Sequence, residues 1–259
     1  MRPAPTAAPV RTGRQLARFE AIDRQFVEWA RAWGGTEAQF PALIAREVLE
    51  RAEYPEAFPH LLLSACGCLD PKQPKATLLE AANLAPSGWL LSPAVCYHAY
   101  PQWAGQTLPE PQVLTARGRC FRHEAEFIPG RRQLEFEMRE IVLCGPPAWI
   151  ETQAAEARTR IEALATAAGF SGTWETAEDP FFLPTAQGKA FIQRLQETKK
   201  EFIVRQPTTL AVASINRHGA FFGERFKIQL PGGEPAHTAC IAFGLDRWET
   251  SQTKPALPA

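Results

Sequence analysis

The segment at residues 120–140, CFRHEAEFIPGRRQLEFEMRE, constrains the fold more than any other part of the chain. Charged and apolar residues alternate on both sides of a loop that contains Pro129 and Gly130. Alternation with a period of two is typical of β-strands, so the pattern predicts an antiparallel hairpin. Helical patterns lie before and after it, and we therefore predict an α+β domain with a mainly antiparallel sheet flanked by helices.

The charged residues of this hairpin suit a nucleoside triphosphate. Arg122 and Glu124 come before the loop, Arg131 and Arg132 lie in it, and Phe136 follows on the second strand. The planar fork of arginine matches phosphate oxygens, and an aromatic ring can stack on a base. A charged surface hairpin would show the same alternation, and the pattern alone leaves this alternative open.

The composition argues against two classes of function, nucleic-acid binding and membrane insertion. Lysine and arginine together number 28, as do aspartate and glutamate, so the formal net charge is zero. Broad nucleic-acid binding relies on a surplus of cationic side chains, and the composition argues against it. No segment resembles a signal peptide or approaches the roughly 18 apolar residues of a membrane span. We expect a cytoplasmic protein without membrane contact, whose six cysteines are reduced thiols or metal ligands.

The remaining patterns predict the domain organisation. Residues 1–12 and 251–259 are rich in proline and alanine and are predicted to be disordered tails, which leaves 13–250 as a single domain. A helical insert is expected at about 149–201. The predicted elements are helices at 36–52, 149–169 and 187–201 and strands at 210–216 and 221–230, with Cys66 and Cys68 as buried strand residues.

Three parts of the chain resemble the motifs of class II aminoacyl-tRNA synthetases. Phe121-Arg122-His123-Glu124, the loop arginines and Phe136 resemble motif 2, and Gly244-Leu245-Asp246-Arg247 resembles motif 3. Residues 43–53 resemble motif 1 in outline only. The resemblance implies the class II antiparallel sheet, a single catalytic domain over 13–250 and a homodimer.

The same resemblance implies roles for individual residues in ATP binding. Arg122 would hold the α-phosphate, Phe136 would stack on adenine, and Arg247 would contact the γ-phosphate. Glu124 would orient the amino group or the adenine, and Arg132 lies on the loop that would cover ATP. Arg122, Glu124 and Arg247 are the residues that we expect to take part in catalysis.

Two cysteines bring the resemblance closer to one group of relatives. Cys96 and Cys240 stand where the atypical, zinc-dependent seryl-tRNA synthetases have zinc ligands, and Glu140 stands at the position of the third. The truncated relatives of these enzymes, the amino acid:[carrier protein] ligases, are more similar still. They activate a small amino acid with ATP and Mg²⁺ and load it on the phosphopantetheine thiol of an acyl carrier protein, without tRNA. The resemblance favours glycine or alanine as the amino acid.

At one position this sequence differs from the seryl-tRNA synthetases, and the difference leaves alternative functions to consider. Those enzymes carry a magnesium-binding glutamate just before the strand that here reads Ala213-Ser214-Ile215-Asn216, and Leu210 occupies its place. Glu137 or Asp246 would have to substitute. The alternatives are a non-catalytic synthetase paralogue, a seryl-tRNA synthetase, and a zinc protein that binds no nucleotide.

Overall fold

A seven-stranded sheet forms the centre of the protein. The structure is a computed structural model that describes residues 10–128, 130–177, 198–205 and 209–252. The strands of the described residues are β1 (Thr36–Gln39), β2 (Leu43–Ala45), β3 (Ser64–Cys68), β4 (Leu84–Leu91), β5 (Gln112–Phe121), β6 (Glu135–Gly145), β7 (Thr173–Thr176), β8 (Lys199–Val204), β9 (Leu210–Gly219) and β10 (His237–Gly244). The main sheet has the order β1-β5-β6-β10-β9-β8-β7, and β2-β4-β3 form a small second sheet.

Helices cover the sheet on both faces. They are α1 (Gly13–Ala32), α2 (Arg46–Arg51), α3 (Tyr54–Ala57), α4 (Tyr100–Trp103), α5 (Pro147–Ala167), α6 (Phe221–Phe226) and α7 (Leu245–Ser251). Three of them, α1, α5 and α7, pack on one face, where Phe26 stacks on Phe243 with 3.6 Å between the ring centroids. The other face packs against α4 and α6. The predicted α+β class with an antiparallel sheet flanked by helices is confirmed, although β1 joins the sheet parallel to β5.

The predicted hairpin is formed by β5 and β6. Gln112 pairs with Cys144 at one end and Phe121 pairs with Glu135 at the other, so the register is unbroken over ten pairs. Successive side chains of a strand point to opposite faces. On β6, Arg139 therefore lies on the side of α1 and Glu140 lies on the opposite face of the sheet.

The prediction of a helix over 36–52 is wrong for its first part. Residues Thr36–Gln39 form β1, and the helix occupies Arg46–Arg51 only. Pro41 explains the difference, since proline disfavours helical conformation in the residue before it and donates no N–H. The segment that resembles motif 1, residues 43–53, accordingly starts as strand β2 and continues as a short helix.

The prediction of a strand over 221–230 is also wrong. Strand β9 continues through Gly219, and residues Phe221–Phe226 are helical. The helix buries Phe222 and Phe226, which are four residues apart and so lie on one face. Cys66 and Cys68 were predicted to be buried, but both thiols are exposed on β3.

Of the predicted helical insert at 149–201, the described residues 149–177 and 198–201 contain one helix, one strand and the start of another strand. Helix α5 confirms the helix predicted at 149–169, but β7 and β8 are strands at the edge of the main sheet. Residues 199–201 of the helix predicted at 187–201 belong to β8, residue 198 has no regular structure, and 187–197 lie outside the described residues.

The ends of the described chain lie together. Arg11 is inside the predicted tail 1–12, yet its side chain is only 5% exposed and is paired with Asp246 and Glu249 of α7. Residues 1–9 and 253–259 lie outside the described residues.

Within the described part of the chain, no helix has the length and apolar character to cross a membrane.

Candidate active site and metal centre

One cavity holds most of the residues that the sequence singles out. Its volume is about 630 Å³, and it lies over the face of the sheet opposite α1. Its lining includes Cys96, Arg122, Glu140, Cys240 and Arg247. These residues come from a helical turn, two strands, the end of a third strand and helix α7, so only the folded domain brings them together.

Cys96, Glu140 and Cys240 converge on one point of this cavity. Their ligand atoms lie within 4.8 Å of one another, and all three side chains are buried. The register explains how residues 100 positions apart meet, because Ala242 of β10 pairs with Glu140 and Cys240 lies two residues away on the same face. Cys96 begins a 3-10 turn after β4.

Backbone groups hold the carboxylate in place. The N–H groups of Val95 and Cys96 donate to Glu140 Oε1 and Oε2, each at 3.1 Å. On the other side of the cluster, the Asn216 amide donates to Cys240 Sγ at 3.3 Å. Two of the three potential ligands, Glu140 and Cys240, are therefore oriented by their neighbours, as is usual for ligands of a metal.

The electrostatics of the cluster suit a cation. A hydrogen bond with Cys240 raises the pKa of the Cys96 thiol, and burial and the charge of Glu140 raise it further. Burial also raises the pKa of Glu140. Two sulfurs and one carboxylate at this separation fit Zn²⁺, and three protein ligands leave one tetrahedral position for another molecule.

Arg122 and Phe136 lie against each other, as a site for a nucleotide would require. The guanidinium carbon of Arg122 is 5.0 Å from the centroid of the Phe136 ring, and Arg122 Nε donates to the Pro93 carbonyl at 3.1 Å. Both side chains line the cavity. The backbone carbonyl thus fixes one edge of the guanidinium.

Arg247 is a second, strongly held cation. It donates to the carbonyls of Ala211 at 3.0 Å and Arg131 at 2.6 Å, which ties α7 to β9 and to the hairpin loop. Burial lowers the pKa of Arg247, and the nearby positive charge of Arg122 lowers it further. Two like charges held close together disfavour each other, and a polyphosphate would relieve this repulsion.

Comparison with known proteins identifies the family. No family model matches the chain. Amino acid--[acyl-carrier-protein] ligase 1 of Bradyrhizobium diazoefficiens is 35% identical over 229 residues, which cover 82% of this chain and 69% of the relative. Ligase 2 of the same organism is 33% identical over 225 residues, or 81% of this chain and 66% of the relative. The chain belongs to the family of amino acid--[acyl-carrier-protein] ligases.

More distant relatives share the fold. The type-2 serine--tRNA ligase of Methanocaldococcus jannaschii is 25% identical over 268 residues, and this chain spans about half (49%) of its length. The seryl-tRNA synthetase of M. kandleri, solved in complex with a tRNA, superposes with a TM-score of 0.81 at 22% identity, covering 99% of this chain and 57% of that one. The seryl-tRNA synthetase of Pyrococcus horikoshii, solved with ATP, gives a TM-score of 0.69 at 13% identity, covering 95% and 52%. The class II synthetase fold is therefore confirmed.

Of the two remaining residues predicted to bind ATP, one lines the cavity and the other does not. Glu124 lines the cavity and its charge acts on Arg247. Arg132 is exposed and is not among the residues that line the cavity, whereas Arg131 is. Two adjacent arginines in a loop cannot be distinguished by sequence, because the loop conformation decides which of them borders the cavity.

The carboxylates proposed to replace the missing magnesium ligand are already engaged. Asp246 pairs with Arg11 through Oδ1 and accepts the Glu137 N–H through Oδ2 at 2.7 Å. The carboxylate of Glu137 lies 3.7 Å from Arg11 and from Arg117. Leu210 itself packs in the core that faces α1 and α5. Leu210 therefore offers no carboxylate, and the carboxylates of Glu137 and Asp246 are not free to bind magnesium.

Glu201 is the acidic residue that the sequence reading missed. It lies on β8 opposite Ser214, lines the cavity, and its charge acts on Arg247. Its ion-pair partner is Lys199, at 3.2 Å. Residues 199–204 are three charged residues followed by three apolar ones, so no alternation indicates a strand with Glu201 facing the site, and 199–201 fall at the end of the predicted helix.

Proposed function

We propose that this protein activates glycine or alanine with ATP and transfers the aminoacyl group to the phosphopantetheine thiol of an acyl carrier protein. The observation that carries the proposal is the placement of Cys96, Glu140 and Cys240 in the same cavity as Arg122 and Arg247. The two relatives named amino acid--[acyl-carrier-protein] ligases support the acceptor. Because this chain covers about two thirds of their length, the activity of the whole protein is part of the proposal.

The first step forms an aminoacyl-adenylate. A carboxylate oxygen of the amino acid attacks the α-phosphorus of ATP, and the bond to the β-phosphate oxygen breaks to release pyrophosphate. Arg122 would contact the α-phosphate and Arg247 the γ-phosphate, so that ATP is held with its α-phosphorus open to attack. Such cations act by positioning and by stabilising charge that develops in the transition state.

The second step transfers the aminoacyl group. The carrier thiol, as thiolate, attacks the adenylate carbonyl and AMP leaves, which yields a thioester. The chain would hold Zn²⁺ through Cys96, Glu140 and Cys240, and this ion supplies a fourth position for the amino group of the substrate. Asn216 would keep the Cys240 sulfur oriented through its hydrogen bond.

For Mg²⁺ on ATP, Glu201 is the residue that we assign. It lies on the cavity wall near Arg247, whereas Asp246 and Glu137 are tied to arginines. Carboxylate oxygens suit this hard cation, which otherwise keeps several waters and binds substrate phosphates. We expect Glu201→Gln to raise the Mg²⁺ concentration that gives half-maximal activity.

A first experiment measures ATP–pyrophosphate exchange with glycine, alanine and serine. Exchange with glycine or alanine is the expected result. Exchange with none of the three would overturn the enzymatic proposal and favour the non-catalytic alternative, which the core position of Leu210 supports. Exchange with serine alone would favour the seryl-tRNA synthetase alternative.

A second experiment identifies the acceptor. Labelled amino acid should be transferred to acyl carrier protein that bears phosphopantetheine, but not to the same protein without it or to tRNA. The matched variants are Cys240→Ala, which should lose bound zinc and activity together, and Cys144→Ala, a buried cysteine that lies outside the ligand cluster and should keep both. Full activity of zinc-free protein would refute the role of the metal. The predicted homodimer stays a prediction, which light scattering can check.

A further inference from the structure

A lysine on strand β8 faces the same cavity as the metal cluster. Among the described residues of β8, Lys199 and Glu201 line the cavity and Lys200, which lies between them, does not. Successive side chains of a strand point to opposite faces, so the strand geometry accounts for this alternation. The steps of the proposed reaction given above assign no role to Lys199.

The strand register places Lys199 in line with a potential metal ligand. Lys199 pairs with Asn216 of β9, and Asn216 in turn pairs with Cys240 of β10. Neighbouring strands are about 4.8 Å apart, so the backbone of Lys199 lies roughly 10 Å from that of Cys240. Asn216 spans part of this distance, because its amide donates to Cys240 Sγ at 3.3 Å. Lys199 therefore borders the metal cluster on the β8 side of the sheet.

An ion pair directs the ammonium of Lys199 toward the nucleotide end of the cavity. Lys199 Nζ lies 3.2 Å from Glu201 Oε1, and the two side chains are 14% and 26% exposed. Glu201 lies opposite Ser214, which is closer along β9 than Asn216 to the Ala211 carbonyl that accepts Arg247. The ammonium is thus held between the line of the metal cluster and the end of the cavity where Arg247 lies.

The sheet surface in front of this ammonium carries small side chains. Ser214 and Ala242 pair across β9 and β10, and both line the cavity. Ala242 pairs with Glu140 on its other side. A ligand that lies over Ser214 and Ala242 would therefore have Glu140 of the metal cluster on one side and the Lys199–Glu201 pair on the other.

The chemistry of adenylation requires cations at this place. An amino acid held on the metal by its amino group has its carboxylate close to the metal, since one carbon atom separates the two groups. This carboxylate is negatively charged and must approach the α-phosphate, which is also negatively charged. Arg122 follows β5, on the opposite side of the metal cluster from β8. A second cation on the β8 side would offset the repulsion and orient the carboxylate for attack.

We propose that Lys199 is a further catalytic residue, whose ammonium contacts the carboxylate of the metal-bound amino acid before that carboxylate attacks the α-phosphorus. The inference rests on the proposed function. Lys199 forms no covalent bond and transfers no proton in this step. Glu201 keeps the ammonium beside Ser214 until the substrate carboxylate binds, and the Glu201 carboxylate then turns to Mg²⁺.

The test compares how glycine and glycinamide bind to protein loaded with Co²⁺. Both ligands carry the amino group, but only glycine carries the carboxylate. Coordination of the amine changes the absorption spectrum of Co²⁺, so a titration gives each dissociation constant without ATP. In Lys199→Met the dissociation constant for glycine should rise about 10- to 100-fold, as expected for the loss of a charge-assisted hydrogen bond. The dissociation constant for glycinamide should stay within about twofold of wild type.

Lys200→Met is the matched control. Lys200 is the next residue of the same strand, but its ammonium donates to Thr176 Oγ1 at 2.8 Å on the other face. Both dissociation constants should equal those of wild type. A second variant, Glu201→Gln, keeps Lys199 and removes the carboxylate that competes with the substrate for its ammonium. Glycine should bind to this variant at least as tightly as to wild type.

Two results would overturn the inference. Unchanged binding of glycine in Lys199→Met would show that the ammonium does not contact the carboxylate. If Lys199→Met weakened glycine and glycinamide equally, or if Glu201→Gln weakened glycine as much as Lys199→Met does, Lys199 would only support the cavity wall. A wild-type protein that bound neither ligand and showed no ATP–pyrophosphate exchange would instead overturn the proposed function, and the inference with it.

Discussion

At the scale of single residues, the six cysteines fall into groups with different chemistry. Cys66 and Cys68 are exposed on β3, whereas the other four thiols are buried. Burial raises the pKa of Cys144 to about 12 and that of Cys120 even further. Because the thiolate is the reactive form, buried thiols with raised pKa values are inert at neutral pH.

This grouping predicts the alkylation pattern of the folded protein. Iodoacetamide at pH 8 should modify Cys66 and Cys68 within minutes and leave Cys120 and Cys144 intact, and raising the pH to 9 should not recruit Cys144, whose pKa is about 12. Peptide mass spectrometry locates the modified residues, and the unfolded protein, with all six thiols modified, is the control. Rapid modification of Cys120 or Cys144 in folded protein would contradict their described burial.

The raised pKa of Cys96 also predicts how binding of the proposed zinc ion should depend on pH. With its pKa above the ordinary value, Cys96 is a protonated thiol in the metal-free protein at neutral pH, and zinc must displace that proton. The affinity therefore rises with pH, by a factor of at least about 10 per unit for one released proton, and falls as the pH is lowered. Chelator competition between pH 6.5 and 8.5 measures the slope. A dissociation constant that is flat with pH would show that Cys96 does not lose a proton on binding.

The cluster of Cys96, Glu140 and Cys240 shows which site residues can be predicted from the sequence and which cannot. Cys96, Glu140 and Cys240 were assigned from a family resemblance, and the strand register then brings them within 4.8 Å. Spacings of 44 and 100 residues carry no such signal by themselves. Lys199 was not singled out, because only the strand geometry of β8 shows that this lysine and not Lys200 faces the cavity.

At the scale of elements, α1 is joined to the sheet by a buried ion pair. Asp23 of α1 accepts two hydrogen bonds from Arg139 of β6, both at 2.7 Å, and Glu37 of β1 lies 3.1 Å from the same guanidinium. The side chains of Arg139 and Asp23 are 3% and 7% exposed. Removing Asp23 takes away both 2.7 Å hydrogen bonds and leaves the buried charge of Arg139 with the partly exposed Glu37 alone among the carboxylates described here.

We expect Asp23→Ala to destabilise the protein by about 3–5 kcal/mol, because the Arg139 charge stays buried. Urea unfolding measures the change in the free energy of unfolding. The control on the same helix is Glu28→Ala, which breaks the exposed pair with Arg31 and should cost less than about 1 kcal/mol.

The double variant Asp23→Leu with Arg139→Leu separates the charge from the packing. If the cost of Asp23→Ala comes from an uncompensated charge, the double variant should be more stable than the two single leucine variants predict by addition. Strict additivity would contradict this account of the pair.

Elements with strong sequence periodicity are predicted correctly. The errors occur where tertiary contacts determine the secondary structure. Helix α5 and the β5–β6 hairpin follow the sequence patterns. The segment at 36–52 has helical spacing of apolar residues, but Pro41 and parallel pairing with β5 convert its start to a strand. Helix α6 forms because Phe222 and Phe226 pack against Tyr100, which is a contact between distant segments.

At the scale of the whole molecule, the two ends of the described chain stabilise each other next to the candidate active site. Arg11 lies before α1 and pairs with Asp246 and Glu249 of α7, while Arg18 of α1 donates to Gln252 at the other end. Asp246 also accepts the N–H of Glu137, whose side chain lines the cavity. The N-terminal residues therefore support the same helix that carries Arg247.

This arrangement predicts a sharp boundary for N-terminal truncation. A chain that begins at residue 10 keeps Arg11 paired with Asp246 and Glu249 and is the reference for the shorter chain. A chain that begins at residue 12 loses Arg11 and leaves the carboxylates of Asp246 and Glu249 without their cation, and we expect a loss of about 3 kcal/mol or more. For a domain of this size that corresponds to a fall in melting temperature of roughly 6–12 °C.

Point variants distinguish the charge from the chain length. Arg11→Ala in the full chain should match the truncation at residue 12, while Arg14→Ala should behave as wild type because Arg14 is exposed on α1. Since Asp246 holds the Glu137 backbone beside the cavity, Arg11→Ala should also raise the KM for ATP more than it lowers kcat, as expected when a binding surface loses its support. A truncation at residue 12 that kept both the melting temperature and the KM for ATP would mean that Arg11 contributes nothing to α7 or to the nucleotide site.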